Sequence, residues 1–380
     1  MDLSDRIQRR RNGRSDDGLV IDWDALSPAS HLSEPVGRAA LLEAVLDALD
    51  PVFDDQLPPS VYLWGPKGSG KSAIVTSVIR SLEEELSSRQ PTYTATRSRS
   101  AMSGLRYVYL DTRGATSEFK LYHRALDGLT ETAVPERGIG THDLTEAIDE
   151  ELAQCGGLLL AVDHIGSSHG ADLETVQNAF ERFDEVSLII VGRTAPTNLP
   201  MPVPSEQIHV PGYTYELIDV LTVRGSRGLS RTLEHSHARM IADWSDGNAH
   251  DALGALYIAA SIAEEEQADR VTTQHIQAAM NEVPTDGAPL SQLLSLMETE
   301  RTVLAKLLSM EDDPELEIEE MAERIGSRSN LSSTTVKRML YELAQAGILR
   351  RIQVRPANDT VGRRPSMVKP NFPARAFEHH

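Results

Sequence analysis

Eight residues, Gly65-Pro66-Lys67-Gly68-Ser69-Gly70-Lys71-Ser72, constrain this chain more than any other stretch. They fit G-x-x-x-x-G-K-[ST], follow the apolar run Val61-Tyr62-Leu63-Trp64 and open a helical pattern that continues to Leu86. A strand, a glycine-rich loop and a helix N-terminus in that order make a cradle whose backbone N–H groups converge on phosphate oxygens. The helix adds the partial positive charge of its first turn. Lys71 is placed to reach the β- and γ-phosphates, and the Ser72 hydroxyl to hold Mg²⁺. A chance glycine-rich turn is the competing reading, and the flanking strand and helix argue against it.

The remaining pattern supplies a sheet for that loop. Leu105–Leu110, Leu158–Val162 and Val186–Val191 are further apolar runs, separated by helical stretches such as Arg38–Leu49 and Ser117–Leu129. Strands alternating with helices imply an α/β core with a parallel sheet. Asp163 ends the run that starts at Leu158, where a strand-end carboxylate can share Mg²⁺ with Ser72; a merely solvated aspartate is the alternative. The following residue is His164, at the place where an ATPase of this architecture usually carries a glutamate to activate water. An imidazole can act as a general base but lacks the carboxylate's shape and charge, so slow or absent hydrolysis is expected. From Tyr215 to Asn281 the pattern is purely helical, and Ser87–Ser103 reads as a surface loop.

Charge divides the chain. Lys+Arg 37 against Asp+Glu 57 gives −20, which taken alone speaks against a nucleic-acid partner. Only six of the basic residues are lysines. Acid excess with scarce lysine is similar to proteins of a salt-saturated cytoplasm, although a GC-rich genome also favours arginine. From Gly326 to His380 ten basic residues face three acidic ones, so an interaction module is expected at that end. There, Asn330-Leu331-Ser332-Ser333 has capping chemistry, Val336, Leu340 and Leu343 repeat at helical spacing, and Gly347 is a stop. Ser333, Thr334, Thr335, Lys337 and Arg338 then lie on the side suited to DNA phosphates and base edges. Ile348–Val354 reads as a strand carrying Arg350 and Arg351, with Arg355, Arg363 and Arg364 beyond it: a winged helix with a basic wing. A winged helix used for protein contacts is the rival reading.

Other classes are excluded. The single cysteine, Cys155, allows no internal disulfide framework and no multi-cysteine metal site, and reads as a small buried residue. The longest uncharged apolar stretch, Ala252–Ala263, falls short of the ~20 residues a bilayer needs. The N-terminus carries Arg9, Arg10, Arg11 and Arg14 and no apolar run. A cytoplasmic protein with no membrane partner is expected.

The ordered set of motifs resembles the archaeal replication initiators, AAA+ proteins related to the largest subunit of the origin recognition complex and to the cell-division-control helicase loader. Glu34-Pro35-Val36-Gly37-Arg38, Val210-Pro211-Gly212-Tyr213-Thr214 and Asp246-Gly247-Asn248-Ala249-His250-Asp251-Ala252-Leu253 are similar to that family's local stretches. The resemblance implies a basic flexible extension at 1–29, an AAA+ core at 30–205, a helical lid at 206–287 and a winged-helix domain at 288–380. It implies ATP or ADP with Mg²⁺ as cofactors, with Val36, Tyr213 and His250 beside the nucleotide. Its partners would be double-stranded DNA at a replication origin, a replicative helicase and further initiator copies. The composition suggests a halophilic-archaeal paralogue. The departures are equally informative: the family's polar sensor falls at Arg193-Thr194, its lid arginine at His250, and no arginine lies between Arg193 and Arg224 to act as a trans finger. An initiator-derived DNA-binding regulator with structural nucleotide is the second reading. An active ATPase remodeller is the third, and it would need the glutamate and finger that are missing.

Overall fold

Parallel strands are covered on both faces, and the apolar runs of this chain are continuous for that reason. The computed structural model describes residues 18–87, 104–130, 132–135, 138–167, 170–283, 293, 296, 298–310, 316–353, 366–372 and 377. Apart from a short helix, Trp23–Leu26 (α1), its first elements build a five-stranded sheet. Val61–Trp64 (β1), Arg106–Asp111 (β2), Leu158–Ile165 (β3), Val186–Gly192 (β4) and Glu206–His209 (β5) run parallel in the order β2-β3-β4-β1-β5. Along β3, Leu158, Leu160 and Val162 enter one core and Leu159 and Ala161 the other, as the two-residue period of a strand requires.

Helices close both cores. Ala39–Ala48 (α2) and Lys71–Ser87 (α3) cover one face with Val45, Ile74, Val75 and Val78. Glu118–Leu129 (α4), Thr141–Leu152 (α5) and Leu173–Phe180 (α6) cover the other with Leu121, Tyr122, Ile148, Val176 and Phe180. β5 differs from expectation. It is an edge strand on β1, and its exposed Glu206, Gln207 and His209 give no apolar run to read. Its addition carries this compact unit from His31 to Tyr213, past the boundary expected at 205.

The second unit joins the chain up to Ser30 with the stretch from Thr214 onward. Glu216–Gly228 (α7), His235–Ser245 (α8), Ala249–Glu265 (α9) and Thr273–Glu282 (α10) form its helical part, with α9 buried along nearly its whole length. The apolar stretch at Ala252–Ala263 is therefore the centre of a helical bundle. Among the described residues no helix is long and apolar enough to cross a membrane. Glu298–Leu308 (α11), Ile318–Ser327 (α12) and Ser333–Gln345 (α13) follow, then the antiparallel pair Leu349–Gln353 (β6) and Ser366–Pro370 (β7). Ser332 caps α13 by accepting from Thr335 N at 3.1 Å, and Gly347, at φ 78°, ends it. The boundary expected at 287/288 lies outside the described residues. So does the serine-rich loop from residue 88 to 103.

Residues 18–29 depart from the expected flexible extension. The Glu264 carboxylate on α9 accepts from Leu19 N at 2.7 Å and Val20 N at 3.0 Å. Val20 bridges Leu229, Trp23 packs on Tyr257 at 5.0 Å between ring centroids, and Leu26 is fully buried. Arg224, buried on α7, donates to Ser30 O at 2.9 Å and also to Ser27 O. Burial brings the pKa of Arg224 down to about 10, with Arg227 adding to the effect. The contact is close at Gly228, where a Cβ would meet the Leu26 side chain at 2.4 Å and Asp22 O at 2.8 Å. Gly228→Ala is expected to lift residues 22–26 off α7. Overpacking of this kind costs about 1–3 kcal/mol, measurable as a lower denaturation midpoint with faster amide exchange at residues 19–26.

Candidate functional site

The chain turns sharply after β1 because Gly65 admits no side chain: a Cβ there would lie 2.0 Å from Val210 O. Gly68 and Gly70 take left-handed φ of 71° and 89°, which a residue with a Cβ adopts only at a cost. The loop then delivers its N–H groups to the first turn of α3. Lys71, the first residue of that helix, folds back over the loop and is 8% exposed. Its ammonium donates to Gly65 O at 2.9 Å, Pro66 O at 2.7 Å and Ser69 Oγ at 3.2 Å. Burial lowers its pKa to about 8, and Asp163 works against that fall. The ammonium is thus desolvated and held against the phosphate-loop motif by three acceptors.

Asp163 is 1% exposed at the same edge of the sheet. Burial would raise its pKa. The adjacent His164 and hydrogen bonds from Ser72, Tyr109 and the His164 N–H outweigh burial and hold it below the ordinary value. Tyr109 Oη donates to Oδ2 at 2.8 Å and His164 N to Oδ1 at 2.6 Å. Thr112 fixes the backbone through two bonds to Asp163 O, from its N–H at 3.1 Å and its hydroxyl at 2.8 Å. The Ser72 hydroxyl and the Asp163 carboxylate are paired hard oxygen donors, the set that Mg²⁺ takes. The residues present therefore fit both a phosphate chain and its metal.

His164 sits at φ 65°, left-handed for a non-glycine residue, where the β3–β4 register shifts between Val162 and Ile165. Strain of this kind gathers at functional positions. Burial pushes its pKa down, although Asp163 opposes the shift, and Nε2 stays 3.8 Å from Asp163 Oδ2. Arg193 follows β4 on the same edge, within electrostatic reach of Lys71 and Asp163. Thr194 offers its carbonyl to Tyr62 Oη at 2.8 Å. Arg113 joins this edge unforeseen, forked onto Asp111 with Nε–Oδ2 at 2.9 Å, while Asp111 registers against Asp163.

Two flanking segments meet the loop. Tyr213 brings Oη to within 2.8 Å of where a Gly70 Cβ would stand. The Arg38 guanidinium covers its ring at 3.6 Å and donates to Pro211 O at 2.9 Å. Ser77 of α3 donates to Ser33 O, and Val36 lies half-buried between Ser33 and Arg38. His250 belongs to the second unit. There Asp246 and Gly247 are left-handed after α8, Asn248 caps α9, and His250 Nδ1 lies 3.3 Å from Asp251 Oδ1. Cys155 is half-buried beside Leu152 O and Gly157 O.

On α13, Ser333 and Thr334 are exposed and Thr335 is held by Ser332. Lys337 pairs with Glu319 and Arg338 with Glu342. Arg350 is exposed on β6, and the Arg351 guanidinium stands 5.4 Å from the Tyr341 ring centroid. Arg355, Arg363 and Arg364 lie outside the described residues.

Tyr109 is a further candidate site residue that the sequence did not reveal. Its partner is 54 positions away, and a tyrosine in a strand reads as core. Partners that orient a metal-binding carboxylate typically matter by about 10–100-fold in metal affinity. Tyr109→Phe is therefore expected to raise the Mg²⁺ concentration needed for half-maximal nucleotide binding by roughly tenfold or more. Nucleotide binding measured in EDTA should be unchanged.

Comparison with known proteins agrees with this geometry. Residues 34–191 match the AAA ATPase domain, and residues 218–281 match the Cdc6 AAA+ ATPase-type lid domain. The chain is 23% identical over 267 residues to the ORC1-type DNA replication protein 1 of Sulfurisphaera tokodaii, covering 66% of this chain and 63% of that protein. With the ORC1-type protein 1 of Aeropyrum pernix it shares 24% over 341 residues, 82% of each chain. The matched stretch thus spans just under two thirds of the length of the first of these relatives. The structure of the Aeropyrum pernix ORC1 protein in complex with DNA has the same fold, with a TM-score of 0.60, 20% identity, and coverage of 96% of this chain and 97% of that one. The chain belongs to the family of ORC1/Cdc6-type archaeal replication initiators.

Proposed function

We propose that this protein is an initiator that binds ATP–Mg²⁺ tightly, turns it over slowly or not at all, and holds duplex DNA at replication origins through a C-terminal winged helix. The observation that carries the nucleotide half is the pairing of an intact loop, Gly65–Ser72, and a buried Asp163 with His164 in the water-activating position. The loop N–H groups and Lys71 bind the phosphates, while Ser72 and Asp163 hold the metal. Magnesium, when bound, neutralises charge on the β- and γ-phosphates. Val36 and Tyr213 flank the nucleotide from the segments that meet the loop.

Chemistry is where the site falls short. Burial lowers the pKa of the half-buried His164 imidazole, which favours its neutral form, and Nε2 lies 3.8 Å from Asp163 Oδ2. Arg193 stands where the family carries a polar sensor and His250 where it carries a lid arginine. A neutral ring lacks the permanent charge of a guanidinium. Phosphate binding is retained while stabilisation of the transition state is depleted.

The DNA half rests on α11, α12, α13 and the β6–β7 pair, the element order of a winged helix with α13 as recognition helix. It rests also on the like fold of the Aeropyrum pernix protein solved with DNA. Ser333, Thr334, Thr335, Lys337 and Arg338 would face the major groove. Arg350, Arg351, Arg355, Arg363 and Arg364 would serve the wing. Acid excess with six lysines fits a halophilic cytoplasm, where helicase and further initiator copies complete the assembly.

Lys71→Ala is expected to abolish ATP binding measured by equilibrium titration in high-KCl buffer. The parent should retain unhydrolysed nucleotide through purification. Multiple turnover at about 1 s⁻¹ or faster, lost in Lys71→Ala, would refute the slow-hydrolysis reading. Footprinting on origin DNA separates an initiator from a regulator that uses the same fold elsewhere.

A further inference from the structure

Lys337 and Arg338 stand side by side on α13, and each already has a carboxylate partner. The Lys337 ammonium binds Glu319 of α12, 18 residues earlier in the chain, and Arg338 Nη1 lies 3.0 Å from Glu342 Oε1 one turn along α13. All four side chains are well exposed, at 38% and 59% for the first pair and 44% and 42% for the second. Exposed pairs of this kind contribute little to stability. Ser333 and Thr334 are exposed at the N-terminus of the same helix, and Arg350 is exposed on β6. Lys337 and Arg338 are therefore pre-neutralised, while the hydroxyl-bearing Ser333 and Thr334 beside them are exposed.

We propose that Glu319 and Glu342 are built-in counterions of the duplex-DNA face, exchanged for backbone phosphates on binding, so that the Lys337 and Arg338 contacts add little to the salt dependence of affinity. This rests on the duplex-binding reading above. An ordinary lysine or arginine that neutralises a phosphate lets a condensed cation leave, so affinity falls with about the 0.9 power of salt for each contact. A lysine that leaves a glutamate for a phosphate strands the carboxylate beside the DNA. Net charge neutralised at the interface does not rise, and little net ion release follows. Salt screens the internal pair and the phosphate contact alike, so the balance between them shifts little as salt rises. Discrimination then falls to contacts that salt does not weaken, such as the hydroxyls of Ser333 and Thr334.

The test is a fluorescence-anisotropy titration of the full chain with duplex DNA across KCl from about 0.1 M to about 1 M, where the Debye length falls from roughly 10 Å to 3 Å. Glu319→Gln with Glu342→Gln should bind roughly 60-fold more tightly than the parent at the lowest salt, about eightfold for each carboxylate removed over one decade of salt. Its log–log salt slope should be steeper by about 0.9 for each carboxylate removed, and its advantage should vanish at the highest salt. If Glu319→Gln lowers the melting midpoint, Glu342→Gln alone repeats the test with one step of slope. The proposal is overturned if the glutamine variants match the parent at every salt while Lys337→Gln with Arg338→Gln loses affinity. The face would then bind DNA with its carboxylates serving structure alone. Should the Lys337 and Arg338 variant bind as tightly as the parent, the duplex reading of this face falls and the proposal with it.

Discussion

A buried ammonium and a buried carboxylate at one edge of the sheet set the terms for the whole first unit. Desolvation penalises both Lys71 and Asp163, and each is tolerated through partners the fold must bring to it. The effective penalty for taking an ion out of water is several kcal/mol even after relaxation. Lys71 offsets it with two loop carbonyls and the Ser69 hydroxyl, and Asp163 with Tyr109, Ser72 and the His164 N–H. Those partners come from the loop after β1, from β2 and β3, and from α3, which the sheet brings together at one end. In such sheets ligands gather at the carboxyl ends of the strands. Here both charges lie at that end.

The proposed separation of binding from turnover rests on the same arrangement. Holding phosphate needs backbone N–H groups, one cation and a metal seat, all of which the sheet edge fixes by geometry. Activating water needs one carboxylate beyond the metal ligand, at a single position. The residue proposed for that position is His164, whose backbone is left-handed at the β3–β4 register shift. A substitution there keeps the main-chain N–H bond to Asp163 and removes only the ring's electrostatic influence on it.

Strands buried on both faces were legible in the sequence because they must be apolar throughout. Val61–Trp64, Leu158–Val162 and Val186–Val191 were read that way, within a residue or a few of their ends. The edge strand Glu206–His209 was not, since only half of an edge needs a partner and its side chains face water. Residues 18–29 escaped for another reason. They are held by two N–H bonds to Glu264, by Arg224 and by a few apolar contacts such as Leu26. None of these leaves a period in twelve residues. The loop Gly65–Ser72 could be read because its glycines and lysine are required locally. Tyr109 could not, because its role exists only once β2 lies beside β3.

Charge counted along the sequence met the same limit. The window from Gly326 to the end carries ten bases against three acids and so reads as strongly basic. Its cut falls inside the motif. Glu319 and Glu320 lie just before it on α12, and packing of α12 on α13 returns Glu319 to Lys337. Glu342 lies within the window and meets Arg338. A base counts toward a polyanion only to the extent that no carboxylate already holds it, and that depends on helix packing rather than on composition. The net −20 of the chain therefore neither forbids DNA nor weakens the case for it. What decides is whether the acids near α13 repel phosphate or merely keep its place.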